Sequence, residues 1–215
     1  MKSRRYQLMI ATVLGWWLLS LASGVSPAPQ AQARTYSIIA SASTFTVSVG
    51  KAGFLSVLGH DHTITVKSFS GRVQMPASGV NQAALELEVD AKSMMVADQG
   101  ISDKERAEIQ GEMQTAVLET ARFPKISFRS VSVANVKPSG NNQSFTLNGD
   151  LTLHGVTKRV AVPVVVNITP EQLRATGEVT IKQTDFGIKP YSAASGTIKV
   201  KDALKLSFAI VAKAS

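Results

Sequence analysis

The side chains best suited to chemistry in this sequence are its three histidines. His60 and His62 flank Asp61 in Gly59-His60-Asp61-His62-Thr63, and residues two apart on a strand project from the same side. Both imidazoles can therefore approach one metal ion or one polar head group. His154, in Leu153-His154-Gly155, would add a third ligand only if the fold brought it to the same place. Metal sites usually need three or four ligands, and two histidines beside an aspartate at a strand start serve more commonly as hydrogen-bonded rim groups. We assign no metal ligand and keep His60 and His62 as head-group contacts. A histidine-dependent metal-binding module is the alternative.

Other chemistries are poorly represented. The chain has no cysteine, which removes thiol nucleophiles, Cys-ligated zinc and iron–sulfur centres together. It has no Gly-x-Ser-x-Gly elbow, no His-Glu-x-x-His helix and no phosphate loop. Asp185, in Thr184-Asp185-Phe186-Gly187, is superficially like a kinase triplet, but its surroundings read as strand and turn. We expect no catalytic residue and no enzymatic activity.

Whatever the histidines do, a β framework must position them. Alternation of apolar and polar residues, as in Phe45-Thr46-Val47-Ser48-Val49 and Leu85-Glu86-Leu87-Glu88-Val89, marks strands with one dry and one wet face. It places strands near 35–49, 62–75, 83–93, 125–136, 144–153, 158–168, 173–182 and 203–213, with a short one around 197–199. Turn residues such as Pro138-Ser139-Gly140-Asn141 and His154-Gly155 join them. About eight antiparallel strands suggest a sandwich or closed barrel. One segment differs: Ser102-Asp103-Lys104-Glu105 is a capping box, and Ile109, Met113 and Val117 recur at helical spacing. This predicts a helix over 103–119, ended by Phe123-Pro124 and lying against the barrel with its apolar stripe buried.

The same alternation names the inward side chains. They are Phe45, Val47 and Val49, then Leu85 and Leu87, then Phe128, then Leu147, Leu151 and Leu153, then Val160, Val162 and Val164, and Phe208. Alternation by itself leaves two outcomes open, a barrel packed solid with these side chains or one enclosing a ligand. A solid barrel would suit an interaction protein.

At 44% hydrophobic and 18% charged, the composition excludes both wholesale disorder and a polytopic membrane protein. The N-terminus reads as a targeting segment: Lys2, Arg4 and Arg5 precede an apolar run from Leu8 to Leu21, and Ala31-Gln32-Ala33 offers a small-x-small cleavage site. Cleavage after Ala33 would make 1–33 a signal peptide and 34–215 one mature domain, periplasmic or secreted. An uncleaved anchor competes, since Leu8 to Val25 approaches the roughly 18 apolar residues of a membrane span. Segment 1–33 holds three basic and no acidic residues, so the mature chain has 20 basic against 15 acidic, a surplus of +5. Spread without a Lys/Arg-rich run, that surplus argues against nucleic acid as a partner and allows transient contact with an anionic membrane surface. Oligomeric state is open, with a homodimer among the options.

Three segments carry a resemblance. They are Gly149-Asp150-Leu151-Thr152-Leu153-His154-Gly155-Val156-Thr157-Lys158, Ala121-Arg122-Phe123-Pro124-Lys125-Ile126-Ser127-Phe128-Arg129-Ser130, and Ile181-Lys182-Gln183-Thr184-Asp185-Phe186-Gly187-Ile188. Their order and spacing behind a targeting segment resemble the YceI-like family of exported lipid-binding domains, from Tyr36 to Ala212. The resemblance implies a mainly β fold, an extended eight-stranded antiparallel lipocalin-like barrel with one amphipathic helix around an elongated apolar pore. It implies a polyisoprenoid or similar long-chain lipid, including an isoprenoid quinone, as non-covalent ligand, with no other cofactor and no enzymatic activity. Ala42-Ser43-Thr44-Phe45 lacks the family's common His-Ser pair, and Gly50-Lys51 stands where a further histidine is frequent.

Overall fold

The computed structural model describes residues 33–52, 61–193 and 198–215. The expected targeting segment up to Gln32, and His60, lie outside the described residues. The strands are β1 (Arg34–Ile38), β2 (Thr44–Ala52), β3 (His62–Val66), β4 (Phe69–Met75), β5 (Ala84–Asp90), β6 (Met94–Val96), β7 (Lys125–Ser139), β8 (Asn142–Leu153), β9 (Val156–Ile168), β10 (Gln172–Lys182), β11 (Ser192–Ala193) and β12 (Ile198–Ala214). Eight of them close an antiparallel barrel in the order β1-β4-β5-β7-β8-β9-β10-β12, with β12 returning to β1 through Tyr36 opposite Ala214. β12 is long enough to pair twice along one edge. Its C-terminal end meets β1, and its Lys199–Ala209 stretch meets β2, beyond which lie β3 and β6.

The first two expected strands, 35–49 and 62–75, are therefore each broken in two, and the third, 83–93, ends at Asp90 in a 3-10 turn over Ala91–Ser93 that leads into β6. The break in 35–49 is a 3-10 turn at Ala40–Ala42, stabilised by Ser43: its hydroxyl donates to the Ile39 carbonyl (2.8 Å) and accepts from the Val211 amide (2.9 Å), a partner the kink would otherwise orphan. The breaks at 67–68 and 91–93 are tied together, because Ser93 Oγ accepts from the Ser68 amide at 2.9 Å. Three neighbouring strands thus bend where serines replace ladder bonds.

The helix α1 (Asp103–Glu112) begins as its capping box requires, Ser102 Oγ accepting from the Glu105 amide at 3.2 Å, and runs on as a π-helical turn over Met113–Val117. No residue of either segment is fully buried, so the stripe Ile109, Met113, Val117 is only half covered, a correction to the expected buried stripe. Polar side chains anchor the helix instead. Gln110 Oε1 accepts from the Val96 amide and its Nε2 donates to the Met94 carbonyl, both at 2.8 Å, so one side chain acts as a strand partner for β6. Gln114 Nε2 donates to the same Met94 carbonyl at 3.0 Å.

Two further features shape the wall. The β8–β9 hairpin turns through His154 and Gly155, both at positive φ (52° and 74°), the pair of left-handed residues that a two-residue hairpin loop favours. The β9–β10 ladder covers only Val164–Ile168 against Leu173–Gly177. It stops beside Pro163, which has no amide hydrogen to give β10, while the β8 ladder runs through Pro163 unbroken. Past that point the turn Thr184–Phe186 packs against β9, with Phe186 and Ile188 nearly inaccessible.

Candidate functional site

The inward columns of the barrel strands enclose a cavity of about 210 Å³. Ten of the expected inward residues line it: Phe45, Val47, Leu85, Leu87, Phe128, Leu147, Leu151, Leu153, Val164 and Phe208. Among the described residues, Ser127 is the one lining residue with a polar side chain. An engineered apolar cavity of about 150 Å³ stays dry and takes up benzene, so a larger space with this wall is suited to hydrocarbon rather than to water. Glycines make room for its rings. A Cβ on Gly149 would sit 2.3 Å from Phe128 Cζ, and one on Gly177 2.4 Å from Phe208 Cζ, so each ring lies against bare backbone. Phe45 meets Phe69 and Phe208 edge to face, at centroid distances of 6.2 and 6.4 Å.

Three expected positions fall elsewhere. Val162 is buried in the apolar core without reaching the cavity, and Val49 lines a separate chamber. Val160 is half-buried against the core. Sequence reasoning overlooked most of the wall supplied by β10 and β12, although Leu204, Leu206, Phe208 and Ile210 alternate as cleanly as β2 does. Met94 and Leu118 also line the cavity; Leu118 lies on the side of the helical stripe, and no periodicity marks Met94.

The chamber that holds Val49 measures about 240 Å³. Its apolar floor is Val49, Ile64 and Val200, with Ile109, Met113 and Val117 opposite. The polar lining is His62, Glu105, Glu108, Glu112, Gln183 and Tyr191. His62 is anchored: its Nδ1 lies 2.6 Å from Asp98 Oδ2, while Asp98 Oδ1 accepts from the Thr63 amide at 2.6 Å. Asp98 is almost wholly buried. Gln183 is held by donating to the Lys201 carbonyl at 2.8 Å.

His154 belongs to a different cluster. Its Nε2 lies 3.0 Å from Glu119 Oε1 and its ring packs on Phe123, with centroids 4.3 Å apart. Arg122 also pairs with Glu119, and the bonds from Arg122 and then His154 hold that carboxyl below the usual glutamate range. His62 and His154 therefore serve separate carboxylates, and among the described residues no group of three or more His, Asp or Glu side chains could hold a metal ion. Asp185 is exposed on its 3-10 turn, whose start is fixed by Thr184 bonding through both amide and hydroxyl to Asp202 (2.9 and 2.7 Å). Those two bonds keep the Asp202 carboxyl below its ordinary value.

The polar face of the barrel is organised by cross-strand charge. Glu86 on β5 accepts from Arg72 on β4 (2.7 Å) and Arg129 on β7 (2.5 Å), and Asp150 pairs with Arg159 across β8 and β9 at 2.7 Å. Exposed pairs of this kind contribute little each, but directly opposite charges fix the register that keeps the apolar column inside.

Comparison with known proteins agrees with this architecture. The barrel is similar to Burkholderia cenocepacia BcnA, at 19% identity and a TM-score of 0.61, covering 81% of this chain and 98% of that one. It is similar to a polyisoprenoid binding domain from Saccharophagus degradans implicated in plant cell wall breakdown, at 16% identity and a TM-score of 0.59, over 84% and 98% of the two chains. A Campylobacter jejuni YceI protein aligns at 16% identity with a TM-score of 0.52, over 70% of this chain and 83% of that one. No curated protein matches the chain significantly. The YceI-like domain family matches residues 36–212, from within β1 to near the end of β12. The chain belongs to the family of YceI-like domains.

Proposed function

We propose that this protein is an exported, non-enzymatic carrier that holds the tail of a long isoprenoid lipid, an isoprenoid quinone or a related chain, in its barrel. One observation carries the reading: a cavity inside the barrel whose lining, among the described residues, is apolar apart from Ser127. Phe45, Val47, Leu85, Leu87, Phe128, Leu147, Leu151, Leu153 and Val164 would strip water from the tail, each buried methylene contributing ~0.8 kcal/mol before the costs of ordering the chain. The lipid would be the sole non-covalent ligand. The polyisoprenoid binding named for the Saccharophagus degradans domain and the shared fold support the same cargo. Export rests on Ala31-Gln32-Ala33 after the apolar run, and the +5 surplus of the mature chain favours brief contact with an anionic membrane surface during loading.

The test is organic extraction and mass spectrometry of the protein purified from its native host. An isoprenoid lipid near one per chain is the expected result, and protein that carries no lipid at all would end the proposal. N-terminal sequencing of the same material should begin at Arg34. A chain starting at Met1 in the membrane fraction would make it an anchored protein.

A further inference from the structure

The helix-lined chamber continues the apolar cavity along one wall. On β2 the inward column passes from Val47, which lines the cavity, to Val49, which lines the chamber; on β3 it passes from Val66 to Ile64 and ends at His62. A tail in the first space thus points its head into the second. Among the described residues the chamber's lining includes three glutamates from the helix segment, Glu105, Glu108 and Glu112, and no lysine or arginine; Glu108 also faces Lys104 at 4.0 Å. Among the described residues such a lining offers a phosphate or carboxylate head no lysine or arginine to pair with.

His62 narrows the choice further. Asp98, gripped by the Thr63 amide, can only accept from the ring, so Nδ1 carries a hydrogen. In the neutral imidazole Nε2 then offers a lone pair, and among the described residues no group bonds to it. With the ring neutral, the dyad presents an acceptor at the wall of a polar chamber. We propose that this chamber holds the head of the cargo, with His62 Nε2 accepting from a neutral hydroxyl. The carrier then selects a long isoprenoid ending in a hydroxyl, an isoprenoid alcohol or a hydroquinone, over acceptor-only or phosphorylated counterparts. This rests on the tail-binding reading above. Tyr191 and Gln183 line the same space and offer a second contact to the head.

The test uses the delipidated protein and three probes sharing one tail: geranylgeraniol, its methyl ether, and geranylgeranyl phosphate, titrated by native mass spectrometry. Wild type should bind the alcohol about tenfold tighter than the ether, the effect of one hydrogen bond to a desolvated acceptor, with the phosphate weakest. His62→Phe should bring the alcohol down to the ether and leave the ether unchanged. Asp98→Asn offers an independent reading if His62→Phe does not fold. Its amide oxygen can keep Thr63 while its NH₂ donates to Nδ1, which moves the ring hydrogen to Nε2 and closes the alcohol–ether gap by improving the ether. Equal binding of alcohol and ether to wild type, or a gap that survives both substitutions, overturns the head-group assignment while leaving the carrier intact. Failure of alcohol and ether alike to bind wild type overturns the carrier reading itself.

Discussion

A substitution that adds volume separates a cargo space from a packed core. Ala175 lines the cavity on β10, its backbone held between Val166 and Ile210 on the flanking strands. Ala175→Leu adds three carbons pointing inward. If they enter empty space they bury without displacing anything, at ~0.8 kcal/mol per group. Subtracting ~0.5 to 1 kcal/mol of side-chain entropy leaves a stabilisation of about 1.5 to 2 kcal/mol. In a close-packed wall the same change overfills the core and costs ~1 to 3 kcal/mol. The two cases differ in sign, so the result does not depend on the precision of either number. Urea unfolding of the delipidated variant against wild type measures it, and retained lipid in native mass spectrometry supplies the second axis, since the leucine occupies room the tail needs. A raised midpoint with reduced lipid retention is the expected outcome. A lowered midpoint with unchanged lipid would refute the cavity as the binding space.

Three other outcomes follow from the fold. Gln110→Ala removes both of its contacts to the β6 edge and should lower stability by about 1 to 3 kcal/mol in urea, because the Val96 amide loses its partner while the Met94 carbonyl keeps only Gln114; an unchanged midpoint would show that water replaces the side chain at no cost. Glu119 has its carboxyl lowered in the folded chain, so its contribution is present above the unfolded value near ~4.3 and is lost as pH falls through the lower folded value. The stability difference between wild type and Glu119→Gln should therefore be largest near neutral pH and vanish in acid, whereas parallel pH curves would contradict the pairing with Arg122 and His154. Pro163→Val restores an amide beside β10 and should slow hydrogen exchange around Glu178, with no slowing if side-chain packing alone sets the seam.

The barrel was legible because its signal is local. Eight strand positions follow from period-two alternation, and that alternation fixes which side chains face in once the strands are placed. The breaks at Ala40–Ala42 and Ala91–Ser93 were not legible, since Ser43 and Ser93 act on residues 168 and 25 positions away in the chain. The helix was found from its cap and stripe, but its anchors are Gln110 and Gln114, whose partners on β6 leave no mark in the helix's own pattern. The chamber was hidden for the same reason: the sequence joined His62 to its neighbour Asp61, while the fold joins it to Asp98 and has Asp61 accept from the Lys51 amide instead.

The ladder stop at Pro163 gives the wall a hinge line. From Val156 to Pro163 on one side and Glu178 to Lys182 on the other, the two strands face each other without ladder bonds, and Phe186 and Ile188 stand beside them like a wedge. Along this stretch, beyond the Val164–Ile168 ladder, side-chain contacts take the place of the row of amide-to-carbonyl bonds. Dispersion contacts are individually weak and re-form in many arrangements, whereas hydrogen bonds between strands re-form in one register only. Register along this stretch is therefore set by the ladders on either side of it, and a single imino acid marks where the direct ladder ends.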